Sequence, residues 1–305
     1  MLDRSKKTEP PIPMRNIVFA TDFLESSRLA LDYAVALSHH YGARLIIVHA
    51  IELSHEAKEA EFLSRRPCLS REHALARLEA FAASVQRVGI NTEIDLREGE
   101  PCAAVLGSAG DNNADLLVLG THGIYRGLQH VLVGSNAEKI LLSAPCPTLT
   151  VGRHVMGGID LDPRFNEILC ISDFSPESVP AAHYAAALGR DLGIRSVLVP
   201  IATDNAPGDS ATHARIERFC AELAGNTEFP NCEWCNPAYH LDRIATTEDI
   251  LRQSEICSDS LFVVGVHNES RWNRHLHTSF AYELVAKASC PLLSVHGAAQ
   301  SNPDR

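Results

Sequence analysis

No stretch of the 305-residue sequence approaches the unbroken apolar length needed to cross a bilayer. Basic charge is also scarce: 27 Lys and Arg against 38 Asp and Glu leave a formal net charge of −11. The first absence argues against a membrane-spanning helix. The second argues against general binding to nucleic acid or an anionic membrane, since both need a basic field. The opening residues, Met1 to Met14, contain Lys, Arg and Pro and lack the apolar core of a secretory signal, so a cytoplasmic chain is expected. Nine cysteines, an odd number placed mostly within apolar strand or helix patterns, do not read as a disulfide framework. Catalytic signatures are missing too. There is no Gly-x-Ser-x-Gly elbow, no Walker loop, no His-Glu-x2-His pair and no recognisable pair of hydrolase acids. An enzyme is therefore not expected.

What is present is a globular composition, 45% apolar and 21% charged, in a chain long enough for two ordinary domains. There is also a repeat. Ile17-Val18-Phe19-Ala20-Thr21-Asp22-Phe23 is matched by Ile168-Leu169-Cys170-Ile171-Ser172-Asp173-Phe174, 151 residues later. The same offset pairs Ser27 with Ser178, Tyr33 with Tyr184, Leu37 with Leu188 and Gly42 with Gly193, which means duplication. In the first copy, β patterns fall near 15–21, 44–51, 92–97, 115–120 and 147–151, and helical periodicity near 25–40, 69–88, 100–110 and 134–143. Three of the β runs are almost wholly apolar, as parallel strands covered on both faces are. The alternation predicts an α/β fold with an open, doubly wound sheet in each copy. The expected division is an extension over 1–14, a first domain over 15–152, a linker over 153–165, a second domain over 166–297 and a tail over 298–305.

Ligands of such sheets sit beyond the carboxyl ends of the strands, where the strand order reverses. In the first copy that edge collects Thr21-Asp22, His49-Ala50-Ile51 and Leu119-Gly120-Thr121-His122-Gly123, the last leading through a loop to Gly134-Ser135 at a helix start. Glycines let several backbone N–H groups converge on an anion, and a helix N-terminus adds unpaired donors and the positive end of its dipole. Asp22 is a poor phosphate ligand but can accept from an adenine amine or a ribose hydroxyl. Opposite chemistries at the two ends of one crevice suit a nucleotide.

These residues carry a resemblance. With the helix segment Tyr33-Ala34-Val35-Ala36-Leu37, Val48-His49-Ala50 and Ala144-Pro145-Cys146-Pro147, the chain resembles a tandem universal stress protein, strongly in its first half and partly in its second. The resemblance implies two tandem domains, each a five-stranded parallel sheet of order 3-2-1-4-5, packed as an internal pseudo-dimer, with a further homodimer left open. It also implies ATP or a related adenine nucleotide, with or without Mg, in the first domain, and a stress-response role with slow ATP hydrolysis at most. Carried over, Gly120, Gly123, Gly134 and Ser135 would hold phosphates and ribose. Ala20, Thr21, Asp22, Ala50 and Leu119 would surround adenine and ribose. One departure stands out: ten residues, Ile124 to Val133, separate Gly123 from Gly134 where the family pattern has nine. The extra residue falls in Ile124-Tyr125-Arg126, and a bulged loop tip is expected.

The second copy keeps Asp173 and the nine-residue spacing but has Asn268 and Thr278 at the second and third glycine positions. Pro200 and Ile201 replace His49 and Ala50, so this half is not expected to hold a nucleotide. Two other functions stay open: a non-nucleotide interaction scaffold with both sites vestigial, and a thiol-redox protein using Cys232 and Cys235. The latter pair has redox spacing but opens an extended run, Glu233 to Leu241, rather than a helix.

Overall fold

The computed structural model describes residues 12–51, 70–121, 135–152, 155, 161, 165–174, 178–201, 218–219, 246–256, 258–266 and 280–296. Strand β1 (Asn16–Ala20) has no polar face: Ile17 and Phe19 enter one apolar layer and Val18 the other, all fully buried. Helix α1 (Glu25–Tyr41) ends where Gly42 takes φ 66, letting the N–H groups of Gly42 and Ala43 reach back to His39 and Ser38 carbonyls. Strand β2 (Arg44–Ile51) precedes α2 (Arg71–Gln86), whose first turn is capped by Ser70 Oγ accepting from His73 N–H. Then come β3 (Thr92–Glu98), α3 (Pro101–Asp111) with Glu100 as its cap, β4 (Leu116–Gly120), α4 (Ser135–Ser143) and β5 (Thr148–Val151).

The second half repeats the pattern with β6 (Glu167–Ser172), α5 (Val179–Leu192), β7 (Arg195–Pro200), α6 (Thr247–Ile256), β8 (Ser260–Val266), α7 (Phe280–Lys287) and β9 (Leu292–His296). The matched segments agree in backbone detail as well. Gly193 ends α5 at φ 68 as Gly42 ends α1 at φ 66, and Phe23 and Phe174 share the left-handed region at φ 61 and 58.

The nine strands among the described residues form one sheet of order β3-β2-β1-β4-β5-β9-β8-β6-β7. Each half could have kept a separate sheet of its own. Instead β5 and β9 pair antiparallel, Thr148 opposite Ser294 and Thr150 opposite Leu292, while the other strand pairs are parallel. Unpaired edge strands expose backbone donors and acceptors, and joining the two edges satisfies them. Both apolar layers continue across this junction, so the two halves share their cores. The first half has the order 3-2-1-4-5. The second shows β9-β8-β6-β7, and the extended run Glu233 to Leu241 lies outside the described residues.

Side chains also join the halves. Tyr33 stacks on Phe165 at 5.6 Å between ring centroids, and the Tyr41 hydroxyl donates to Asp191 Oδ2 at 3.2 Å. His39 lies in the last turn of α1, and its Nδ1 bonds the Leu161 carbonyl at 3.1 Å, while the helix end is closed by Gly42. At the free edge, β3 is charged: Arg97 binds Asp95 at 2.7 Å and Asp111 at 2.8 Å, and Arg44 binds Glu93 at 3.0 Å. Among the described residues, no helix is long and apolar enough to cross a membrane. Four described cysteines, Cys102, Cys146, Cys170 and Cys290, are buried, and burial pushes the Cys146 thiol up to about 12.

Candidate functional site

The order β2-β1-β4 puts the reversal of strand order between β1 and β4, and the crevice opens beyond their carboxyl ends. Ala20 closes β1 between Val48 of β2 and Leu119 of β4. Gly120 closes β4 beside Val151. Thr21 continues the β1 line, its N–H donating to Val48 O at 3.0 Å, and Ala50 lies two residues beyond Val48. The structure thus brings Ala20, Thr21, Asp22, Ala50, Leu119 and Gly120 to one edge. Ser135 is the first residue of α4. Gly123, Gly134 and the three-residue stretch Ile124 to Arg126 lie outside the described residues.

The loop after β1 is held by hydroxyls. Ser27 Oγ donates to the Leu24 carbonyl at 2.9 Å, so its single proton is committed. Thr21 Oγ1 must then be the donor in its 3.1 Å contact with Ser27 Oγ, and it accepts from Phe23 N–H at 2.9 Å. Asp22 is exposed and uses one oxygen, Oδ1, to accept from Leu24 N–H at 3.0 Å. This aspartate turn replaces a side-chain cap at the start of α1, where Leu24 has none to give. The second half builds the same turn, with Ser172 Oγ 2.8 Å from Ser178 Oγ and accepting from Phe174 N–H at 2.9 Å.

Two expected site residues also serve the packing of the fold. Leu119 is 3% exposed, and its side chain belongs to the core under α3 and α4, so it forms floor rather than wall. Gly120 was read as a glycine that lets backbone approach a phosphate. A Cβ there would lie 2.7 Å from Ser26 C, 2.8 Å from Ser26 O and 2.8 Å from Ser27 N, in the first turn of α1. Its lack of a side chain is required by helix packing whatever the ligand.

The same loop makes contacts that the motif did not reveal. His49 Nδ1 lies 2.7 Å from the Thr21 carbonyl, so the ring carries its proton there and leaves Nε2 as acceptor. Burial holds the His49 pKa below its ordinary value; the nearby Arg77 adds to this, while the Thr21 bond and Asp22 oppose it. The Phe23 ring packs 4.4 Å from the His49 ring, the Arg77 guanidinium lies over the Phe23 ring at 4.2 Å from its centroid, and Arg77 Nη2 donates to the Phe23 carbonyl at 3.3 Å. Phe23 was legible only as half of a repeated Asp-Phe pair; its positive φ was not. On the far rim, Glu100 caps α3 on Ala103 N–H at 2.8 Å, which holds its carboxyl below the usual range, and Lys139 of α4 lies 3.5 Å away. In the second half, the loop over 267–279 and residues Cys232, Cys235 and His240 lie outside the described residues.

Residues 13–152 match the model of the universal stress protein family. A universal stress protein of Thermus aquaticus is 34% identical over 142 residues, covering 45% of this chain and 98% of that protein. One from Methanocaldococcus jannaschii is 27% identical over 142 residues, covering 45% of this chain and 81% of the relative. Over the whole length, the fold is similar to the crystal structure of a universal stress protein from Archaeoglobus fulgidus. That match has a TM-score of 0.66 at 16% identity and covers 93% of this chain and 97% of the other. A Pseudomonas aeruginosa structure described as a putative universal stress protein gives a TM-score of 0.61 at 14% identity, covering 93% and 94%. With a matching family model over the half that carries the crevice, and a relative aligned over nearly its full length, the chain belongs to the universal stress protein family.

Proposed function

We propose that this is a tandem universal stress protein that holds an adenine nucleotide, ATP, ADP or AMP, in the crevice of its first half and acts in the stress response as a ligand-responsive binding protein. The observation that carries the reading is a contrast inside the duplication. Gly120 is needed for packing against α1, and its counterpart Gly265 is kept. Gly123 and Gly134 have counterparts Asn268 and Thr278. The copy therefore retains the glycine at the packing position and lacks the two assigned to phosphate. Ser135 and the α4 N-terminus complete the phosphate side, Ala20, Thr21, Asp22 and Ala50 the adenine side. Magnesium, where present, would accompany the phosphates.

The internal pseudo-dimer is part of the same proposal. Support comes from a cavity of about 10 Å³ at the junction, lined by Tyr184 and by four matched pairs: Met14 and Phe165, Leu37 and Leu188, Leu116 and Leu261, Leu149 and Leu293. Equivalent residues facing one another are what a two-fold arrangement produces.

The test is the thermal midpoint with and without Mg-ATP, ADP and AMP. A ligand that prefers the native state stabilises it by about 2.7 kcal/mol at a hundredfold its Kd. Replacing Gly134 with a bulky residue should abolish the shift, and changing Thr278 should leave it. An unchanged midpoint at millimolar nucleotide would overturn the proposal.

A further inference from the structure

We infer that His49, Phe23 and Arg77 form a clamp that positions the Thr21-Asp22 edge of the first-half crevice, making His49 a positioning residue for the ligand bound there. This rests on the reading of that crevice as a nucleotide site. Asp22 is bracketed by residues whose carbonyls are both taken. The Thr21 carbonyl accepts from His49 Nδ1 at 2.7 Å, and the Phe23 carbonyl accepts from Arg77 at 3.3 Å. Between these anchors, the Phe23 ring lies against the imidazole at 4.4 Å and under the guanidinium at 4.2 Å. The loop is thus tied to both β2 and α2 through one contiguous set of side chains, the two rings tilted by 45° to one another. Asp22 Oδ1 is tied to Leu24 N–H, which fixes the direction in which the carboxylate faces solvent.

The second half shows which part of this is fold and which is addition. Ser172 and Phe174 reproduce the turn, its hydroxyl bonds and its left-handed residue. The residue in place of His49 is Pro200, and the Ser172 carbonyl accepts from the Ile201 backbone N–H at 3.0 Å. Where the histidine is lost, a backbone donor serves the carbonyl and ordinary strand pairing is enough. In the first half, an imidazole holds that position and brings Phe23 and Arg77 with it. The turn therefore needs no histidine, and the clamp belongs to the half that keeps Gly123 and Gly134.

The charged groups facing His49 among the described residues are Asp22 on the loop and Arg77 on α2, while its β3 neighbour in register is Leu96. Protonation would place a second cation beside Arg77 and leave the Nδ1 bond intact. Loosening of the loop should thus begin only below the ordinary histidine range.

The experiment is calorimetric titration of the full chain with Mg-ATP and ADP for the wild type, H49N, H49F and R77M, across pH 5 to 8. Asparagine places an amide donor near the position of Nδ1, whereas phenylalanine keeps only the ring. H49N should bind within about threefold of wild type, and H49F and R77M about tenfold more weakly, the scale of one lost hydrogen bond. Wild-type affinity should fall at the acid end, and H49N should not follow it. Equal binding by H49F and wild type, or H49N as weak as H49F, overturns the clamp. If wild type binds neither nucleotide, the function proposed above fails separately, and hydrogen exchange at the Leu24 amide decides the clamp. Faster exchange in H49F than in H49N supports it, and equal exchange refutes it.

Discussion

Replacing Gly120 with alanine adds one methyl group at a place where the chain has no room for it. The new Cβ would stand 2.7 to 2.8 Å from three backbone atoms of Ser26 and Ser27, against 3.4 Å or more for ordinary contact. The overlap cannot be relieved by a rotamer, because the neighbours are main chain in the first turn of α1. The helix must retreat by roughly half an ångström or β4 must bend, and overpacking of this kind costs about 1–3 kcal/mol. Gly120 is not among the positive-φ glycines, so all of this cost is steric. The shift also reaches the crevice, since Ser27 Oγ holds both Thr21 Oγ1 and the Leu24 carbonyl. Denaturant unfolding should show a lower midpoint at unchanged slope, with weaker nucleotide binding beyond what the loss of stability explains. An unfolding free energy within about 0.5 kcal/mol of wild type would refute the packing argument.

Gly42→Ala and Gly193→Ala isolate the opposite cause, because nothing lies within 4 Å of either Cβ position and both residues have positive φ, +66 and +68. Each should cost about 1 kcal/mol in denaturant unfolding, the two values agreeing within error as caps of the same geometry require. Asp191 is kept above its ordinary carboxylate value by burial, which outweighs the bonds from Tyr41 and the Ile12 backbone. The folded state therefore binds its proton more readily than the unfolded state, and this contribution to stability is lost as pH rises from 3.8 through the folded value. D191N should flatten that part of the stability–pH curve; an unchanged curve would exclude Asp191 as its source. His49 has the opposite sign: its folded pKa lies below 6.5, so its contribution is complete above 6.5 and lost as pH falls below. H49N should remove that acid-side loss, measured by thermal unfolding at stepped pH.

Much of the first half was legible because its signals are local. The helix expected near 100–110 is Pro101–Asp111, and the strand expected near 44–51 is Arg44–Ile51. Apolar runs of strand length, a proline at a helix start and a glycine at a helix end act through neighbouring residues alone. The edge of the candidate site was legible for the same reason, since strand ends follow from strand positions. The roles of its residues were less so. Leu119 and Gly120 both sat in the motif, yet one faces the core and the other the backbone of α1, and neither fact is written in their neighbours.

The sequence alone determined the matched segments at a constant offset, the alternation of strands and helices in the first half, and the asymmetry between Gly123 and Gly134 and the residues Asn268 and Thr278 that stand at the matching positions. Periodicity and offset are properties of a single line of residues. Tertiary structure alone decided that β5 and β9 join the halves into one sheet, since an apolar edge strand carries no mark naming its partner. It also decided that Gly120 packs against α1 and that His49, Phe23 and Arg77, from β2, a loop and α2, meet around Asp22. Those contacts are set by where the sheet and helices bring distant residues together, a distance that sequence spacing does not encode.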